Sequence, residues 1–273
     1  MKSLLRALKK IWLFRFLRRI YLASTYFNHK YIQIIKWGFN SNETSNFTYK
    51  LTQSNLAYLS FTVSAVLNEN YQTVRAYIDE AQNDTALREH ILETTRNSSQ
   101  RKFADEKILF GRRLGWYAFV RALKPKLVIE TGVDKGLGSV LLCAALLKNA
   151  EEGFPGKYLG TDINPEAGYL LAGRYAEVGK ILYGDSIESL SKIEEPIDLF
   201  INDSDHSISY EYREYEVIHK LLTARSIILS DNAHVSGSLA DFSLKTGRHF
   251  LYFQEEPENH WYPGAGIGIS FSA

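Results

Sequence analysis

Residues Leu127–Leu142, LVIETGVDKGLGSVLL, restrict the fold more than any other stretch of the chain. An apolar run from Leu127 to Ile129 ends in Glu130. A loop carrying Gly132, Gly136 and Gly138 follows, and an apolar helix pattern begins at Ser139. This order reads as a buried parallel strand, a tight turn and a helix. Glycines let a ligand approach the backbone, and a helix start offers unpaired N–H groups to polar atoms. The spacing departs from the G-x-G-x-x-G of dinucleotide sites, which sets a nicotinamide oxidoreductase well behind other readings.

Beyond Gly111 the pattern alternates. Helix 112–123 precedes strand 127–131. Helix 138–148 leads to strand 157–162, helix 166–177 to strand 180–183, and a short helix at 186–191 to strand 197–201. Helix 208–222 leads to strand 226–230. Helix 237–245 is followed by two closing strands, 249–254 and 267–271, without a helix between them. Strands alternating with helices imply a mostly parallel sheet covered on both faces, and the last pair an antiparallel hairpin. The expectation is an α/β, Rossmann-like, doubly wound seven-stranded sheet with an N-terminal helical extension. Ligands of such sheets bind beyond the carboxyl ends of the strands, so the strand-end residues are the candidates.

An acid closing the first strand, with Gly132 and Gly136 four apart, resembles the first motif of class I S-adenosylmethionine (SAM) methyltransferases. The seven strands resemble that fold over roughly residues 102–273. The resemblance implies SAM as cofactor. It assigns Glu130, Thr131, Gly132, Gly136, Gly138 and Ser139 to the donor, Asp162 to its ribose, Asp185 and Ser186 to its adenine, and Asp203 to the same cleft. Asp185 and Asn164 also suit the plain role of helix N-caps.

Strand four runs into Asn202-Asp203-Ser204-Asp205-His206, and strand five into Asp231-Asn232-Ala233-His234. Asp203, Asp231 and Asn232 resemble the metal triad of divalent-cation-dependent O-methyltransferases of the catechol and caffeoyl-CoA types. Mg²⁺ takes oxygen ligands and leaves positions for a substrate oxygen. Asp205 is an alternative ligand to Asp203, and a loop cap and a turn are the plain roles of Asp203 and Asp231. The order Asp203-x-x-His206 resembles metal-dependent sugar O-methyltransferases of antibiotic biosynthesis, where the His is taken as base; those tend to carry Glu-Asp at Asp231-Asn232. His234 competes with His206 for that role, since imidazole accepts a hydroxyl proton near neutral pH. The implied acceptor is a hydroxyl of a small molecule or sugar.

Ahead of this unit lie two segments, a basic amphipathic arm (1–40) and a helical cap (41–101). Residues 1–42 hold nine of the 32 Lys and Arg and no Asp or Glu, leaving 23 basic against 31 acidic residues elsewhere. An acidic body argues against nucleic acid as partner. The arm's apolar stripe changes sides near Trp12 or Leu13. It suits a peripheral membrane contact, packing on the body, or a homo-oligomer contact. A non-catalytic membrane scaffold with a residual SAM fold is the reading that would make most of this arm. Charges interrupt every apolar run, so a transmembrane span is not expected. The single cysteine, Cys143, rules out an intrachain disulfide, and a reducing cytoplasmic compartment is the expectation.

Overall fold

The computed structural model describes residues 11–26, 30–43, 48–205, 207–231 and 233–272. Helices α1 (Trp12–Tyr21) and α2 (Lys30–Asn40) form the arm. Ile11 is extended, so α1 starts at Trp12, where the apolar stripe of the sequence changes sides. Helices α3 (Gln53–Leu67), α4 (Tyr71–Asn83) and α5 (Thr85–Arg96) follow. Thr52, Asn70 and Asp84 cap them through side-chain oxygens that accept first-turn N–H groups.

The alternating unit consists of α6 (Arg113–Leu123), β1 (Leu127–Thr131), α7 (Leu137–Glu151), β2 (Lys157–Asp162), β3 (Gly179–Tyr183), α8 (Ser186–Ser191), β4 (Ile197–Asn202), α9 (Ile208–Ile218), β5 (Leu222–Ser230), α10 (Ser238–Thr246), β6 (His249–Gln254) and β7 (Gly266–Phe271). The seven strands form one sheet in the order β3-β2-β1-β4-β5-β7-β6. β1 to β5 pair in parallel, and β7 lies antiparallel between β5 and β6. Chain order reverses at the β1/β4 boundary, which puts the cleft above the ends of those two strands.

Alternate strand residues feed two cores. Val128, Leu199 and Ile201 join the cluster shared with α6, α7 and the cap residues Leu56, Leu59, Val63, Val74, Ile78, Leu87 and Ile91. Leu127, Ile129 and Phe200 pack instead with Tyr215, Ile218, Leu239 and Phe242 of α9 and α10. Polar ties hold the cap as well. Asn55 donates to the Gln254 carbonyl at 2.9 Å and accepts from Glu256 N at 3.0 Å. Arg121 donates to Glu80 at 2.8 Å.

One expected element is absent. Residues 166–177 are turns with a short 3₁₀ segment, Gly173–Glu177, rather than a helix. Gly168 (φ +77°) and Gly173 (φ +56°) turn the chain left-handed at the points where a helix would have to continue. Tyr169, Leu170 and Tyr175 still reach the cap side, so their helix-like spacing reflects burial from an irregular loop.

Candidate active site

Backbone bonds lace together the ends of β2, β1 and β4, across the switch point. Gly132 N donates to Thr161 O and Asp203 N to Thr131 O, both at 2.9 Å. Gly132 has φ +83°, and a Cβ there would lie 2.0 Å from the carbonyl oxygen of Asp203, so only glycine fits. Gly136, with φ +90°, starts α7 against the backbone of Gly168. Asp162 orders the intervening loop. Its Oδ2 accepts from the amides of Val133 (3.0 Å) and Asp134 (2.9 Å), and its Oδ1 from Asn164 N (2.8 Å).

Glu130 lies beneath that loop, wholly buried beside Gly138. Tyr158 donates to it, and so does Ser139 at 2.9 Å. Burial raises its carboxyl from 4.5 to about 7, against the lowering effect of those two hydrogen bonds. The folded chain therefore holds a proton that the unfolded chain releases above pH 4.5. This contribution favours folding at acid pH and is lost as pH rises toward about 7, a change of roughly 3 kcal/mol. Urea unfolding at pH 5 and pH 8 is expected to show that loss in the wild type and not in Glu130→Gln. Equal slopes in the two proteins would assign the pH dependence elsewhere.

A second buried carboxylate, Glu214 of α9, ties together the segments that follow β1, β3 and β4. Thr131 (3.0 Å), Ser204 (2.9 Å), Ser186 and Asn202 all donate to it. The Thr131 hydroxyl is thus turned to Glu214, and that of Ser186 donates to the same acid. Asp185 caps α8 through Glu188 N at 2.9 Å and accepts from Tyr210 Oη at 2.9 Å. The Glu188 amide, followed by Tyr210, holds Asp185 below the usual carboxylate range.

These groups open onto a cavity of about 770 Å³ lined by Glu130, Gly132, Gly138, Asp162, Asp185, Ser186, Asp203, Asp231 and His234. Thr131, Gly136 and Ser139 lie behind its wall. Arg112, Arg113, Tyr49, Tyr210 and Tyr262 line it too, and the first four did not stand out in the sequence. Arg112 forms a two-pronged ion pair with Asp231, and its backbone N–H donates to Glu255 at 2.8 Å. The Arg113 guanidinium lies 4.0 Å from Asp203 and faces the Trp116 ring at 5.4 Å. Two arginines at a helix start oppose the helix dipole, so the acids facing them decide where they sit.

Asp203 and Asp231 are neighbours in this cluster. Burial and the charge of Asp231 push the Asp203 carboxyl well above its ordinary range, against the pull of Arg113. Burial would also raise Asp231, but the Arg112 charge and hydrogen bonds outweigh it and hold Asp231 low. Of the two, Asp203 is the one burial favours in its protonated form, and Asp231 the one Arg112 favours as the anion. His234 Nδ1 lies 3.2 Å from the Asp231 carbonyl oxygen. The other expected base, His206, and the third expected ligand, Asn232, fall outside the described residues.

Residues 129–233 match the family model for a methyltransferase domain. Over that stretch the chain is similar to methyltransferase domains. No curated protein matches the chain in sequence. Similar solved structures include a methyltransferase from Geobacter sulfurreducens, 14% identical over 68% of this chain and 90% of that one, with a TM-score of 0.51. Another is the SAH-bound Podospora anserina methyltransferase PaMTH1, 19% identical over 73% of this chain and 94% of that one, TM-score 0.48. A third is the O-methyltransferase TomG from Streptomyces achromogenes, involved in tomaymycin synthesis and solved in complex with SAM. It is 14% identical over 82% of this chain and 99% of that one, TM-score 0.49.

The cavity fits a nucleoside-sized polar ligand by volume and by chemistry. Two buried polar atoms on lining residues, Thr161 Oγ1 and Arg113 Nε, have no hydrogen-bond partner among the described residues. Buried polar groups ordinarily find one, and a polar ligand would supply it. A divalent ion fits less well. Both oxygens of Asp231 are taken by Arg112, and among the described residues no three His, Cys, Asp or Glu side chains converge as a ligand set. As Asp231 is placed, a divalent ion there would compete with Arg112 for its carboxylate. Asp205 lines the cavity, while its Oδ1 accepts from Ser207 N at 2.9 Å.

Proposed function

We propose that this chain is an O-methyltransferase acting on a hydroxyl of a small molecule or sugar. The observation that carries the reading is one cavity holding two kinds of wall. The glycine loop, Asp162 and Asp185 line one end, and the Asp203, Asp231, Arg112 and His234 cluster the other. SAM, when bound, supplies an electrophilic methyl group. Asp162, already ordering the loop amides, offers its remaining acceptor capacity to ribose hydroxyls. Asp185 and Tyr210 meet the adenine end, and Arg113 suits the carboxylate of the amino-acid end. His234 is the described residue able to take the hydroxyl proton, with His206 its alternative. Tyr49 and Tyr262 wall the acceptor side.

The Mg²⁺-assisted form of this reading is supported by the adjacency of Asp203 and Asp231. It requires Arg112 to release Asp231, and Asn232 to supply a further oxygen. One experiment separates the forms. Calorimetry should first give saturable SAM binding, and hydroxylated acceptors are then screened for methylated product with Mg²⁺ or with excess EDTA. Turnover is expected to persist in EDTA, because arginine already neutralises the acids. His234→Ala should lower kcat by roughly 10²- to 10⁴-fold at unchanged SAM affinity. Activity abolished by EDTA and restored by Mg²⁺ would favour the metal form. Failure to bind SAM would overturn both.

A further inference from the structure

The arm leaves two apolar faces uncovered. On α1, Leu13, Phe16, Leu17 and Ile20 fall on one side at 100° per residue, with Arg15, Arg18 and Arg19 opposite. No residue of α1 is buried, and Leu17 and Ile20 are each 52% exposed. Trp12 stacks on Phe16 at 5.3 Å beside this face. On α2 the orientation is the reverse of a helix that serves the core. Trp37 packs on Trp261 (5.3 Å) and His260 (6.5 Å), while Tyr31, Ile35 and Phe39 point away from the body, Phe39 at 87% exposure. The side that meets the protein is thus not the apolar side.

We propose that residues 12–40 seat the enzyme on a bilayer surface bearing anionic phospholipid headgroups. Charge selects this occupant. Arg15, Arg18, Arg19, Lys30 and Lys36 accompany the two apolar faces, and residues 1–42 contain no acid to offset them. A second arm would bring the same cations together, whereas an anionic headgroup layer neutralises them while acyl chains cover Leu17, Ile20 and Phe39. Trp12 and Tyr21, at the edges of the α1 face, match the preference of amphipathic rings for the interface. Among the described residues no helix is long and apolar enough to cross a membrane, so the contact lies in the surface plane. The aromatic chain continues inward. His260 meets Tyr49 at 5.4 Å, and Tyr49 meets Tyr262 at 5.6 Å, both of them cavity-lining residues. A seated arm therefore holds the cavity wall near the lipid surface. This inference does not rest on the nature of the acceptor.

The full chain is tested by sedimentation with phosphatidylcholine vesicles, with and without phosphatidylglycerol. Binding is expected on the anionic vesicles, about tenfold or more weaker on neutral ones, and weakened by salt. Leu17→Glu with Ile35→Glu should abolish it, and replacing Arg15, Arg18 and Arg19 by Gln should remove the preference for anionic lipid. Neither variant touches buried residues, so an unchanged melting temperature serves as the folding control. Absence of binding to anionic vesicles overturns the proposal. So does a dimer seen by light scattering without lipid and dissociated by Leu17→Glu, which would make the arm a subunit contact.

Discussion

Arg112→Ala is expected to destabilise the fold by about 3–5 kcal/mol, the range for breaking one side of a buried ion pair. The guanidinium is only 12% exposed and faces Asp231, Glu255 and the Tyr49 hydroxyl together. Removing it leaves Asp231, Asp203 and Glu255 with Arg113 as the remaining cation among the described residues, its guanidinium 4.0 Å from Asp203. Lysine would restore charge without the planar fork that holds both Asp231 oxygens, so Arg112→Lys should fall between wild type and alanine. Adding Asp231→Asn to the alanine variant removes the stranded charge and should recover part of the loss. Urea unfolding of the four proteins measures this directly. A cost below about 1 kcal/mol for Arg112→Ala would mean that water screens the cluster as it does a surface pair.

That cluster was also what the sequence concealed. Strand ends announce themselves locally. An apolar run followed by Glu130, Gly160-Thr161-Asp162 or Gly184-Asp185 marks where a parallel strand meets the cleft, and the sheet emerged in the expected alternation. Arg112 and Asp231 are 119 positions apart, and nothing in Gly111-Arg112-Arg113 indicates that both side chains turn toward the ends of β4 and β5. The one local hint is two arginines at a helix start, where the dipole disfavours cations. Thr131 and Ser186 show a second contact that the sequence concealed. The resemblance put them at the cofactor, and Glu214, an acid in an otherwise ordinary helix, accepts from both hydroxyls. The loop at 166–177 misled because burial can mimic helical spacing. Its glycines were visible, but not that Gly168 would turn left-handed against Gly136 and Ile181.

Asp162→Ala is expected to weaken SAM binding roughly a hundredfold, the equivalent of losing charge-assisted bonds to two amides. The loss does not require direct contact between Asp162 and the donor. One oxygen accepts from both Val133 N and Asp134 N, so the carboxylate fixes the curvature of the loop against which any nucleoside in this cavity must lie. Without it those amides turn to water, and binding must bear the cost of reordering the loop. Stability should change less than affinity, because Asp162 lies partly open to the cavity, where water can replace it. Asp162→Asn tests the distinction between shape and charge. Its amide oxygen can still accept from the loop, but its NH₂ would face the N–H of Asn164, which Asp162 Oδ1 now accepts at 2.8 Å. Affinity should therefore recover only in part. Calorimetric titration with SAM reads all three proteins, and an alanine variant within about threefold of wild type would show that the glycines, not the carboxylate, set the shape of the loop.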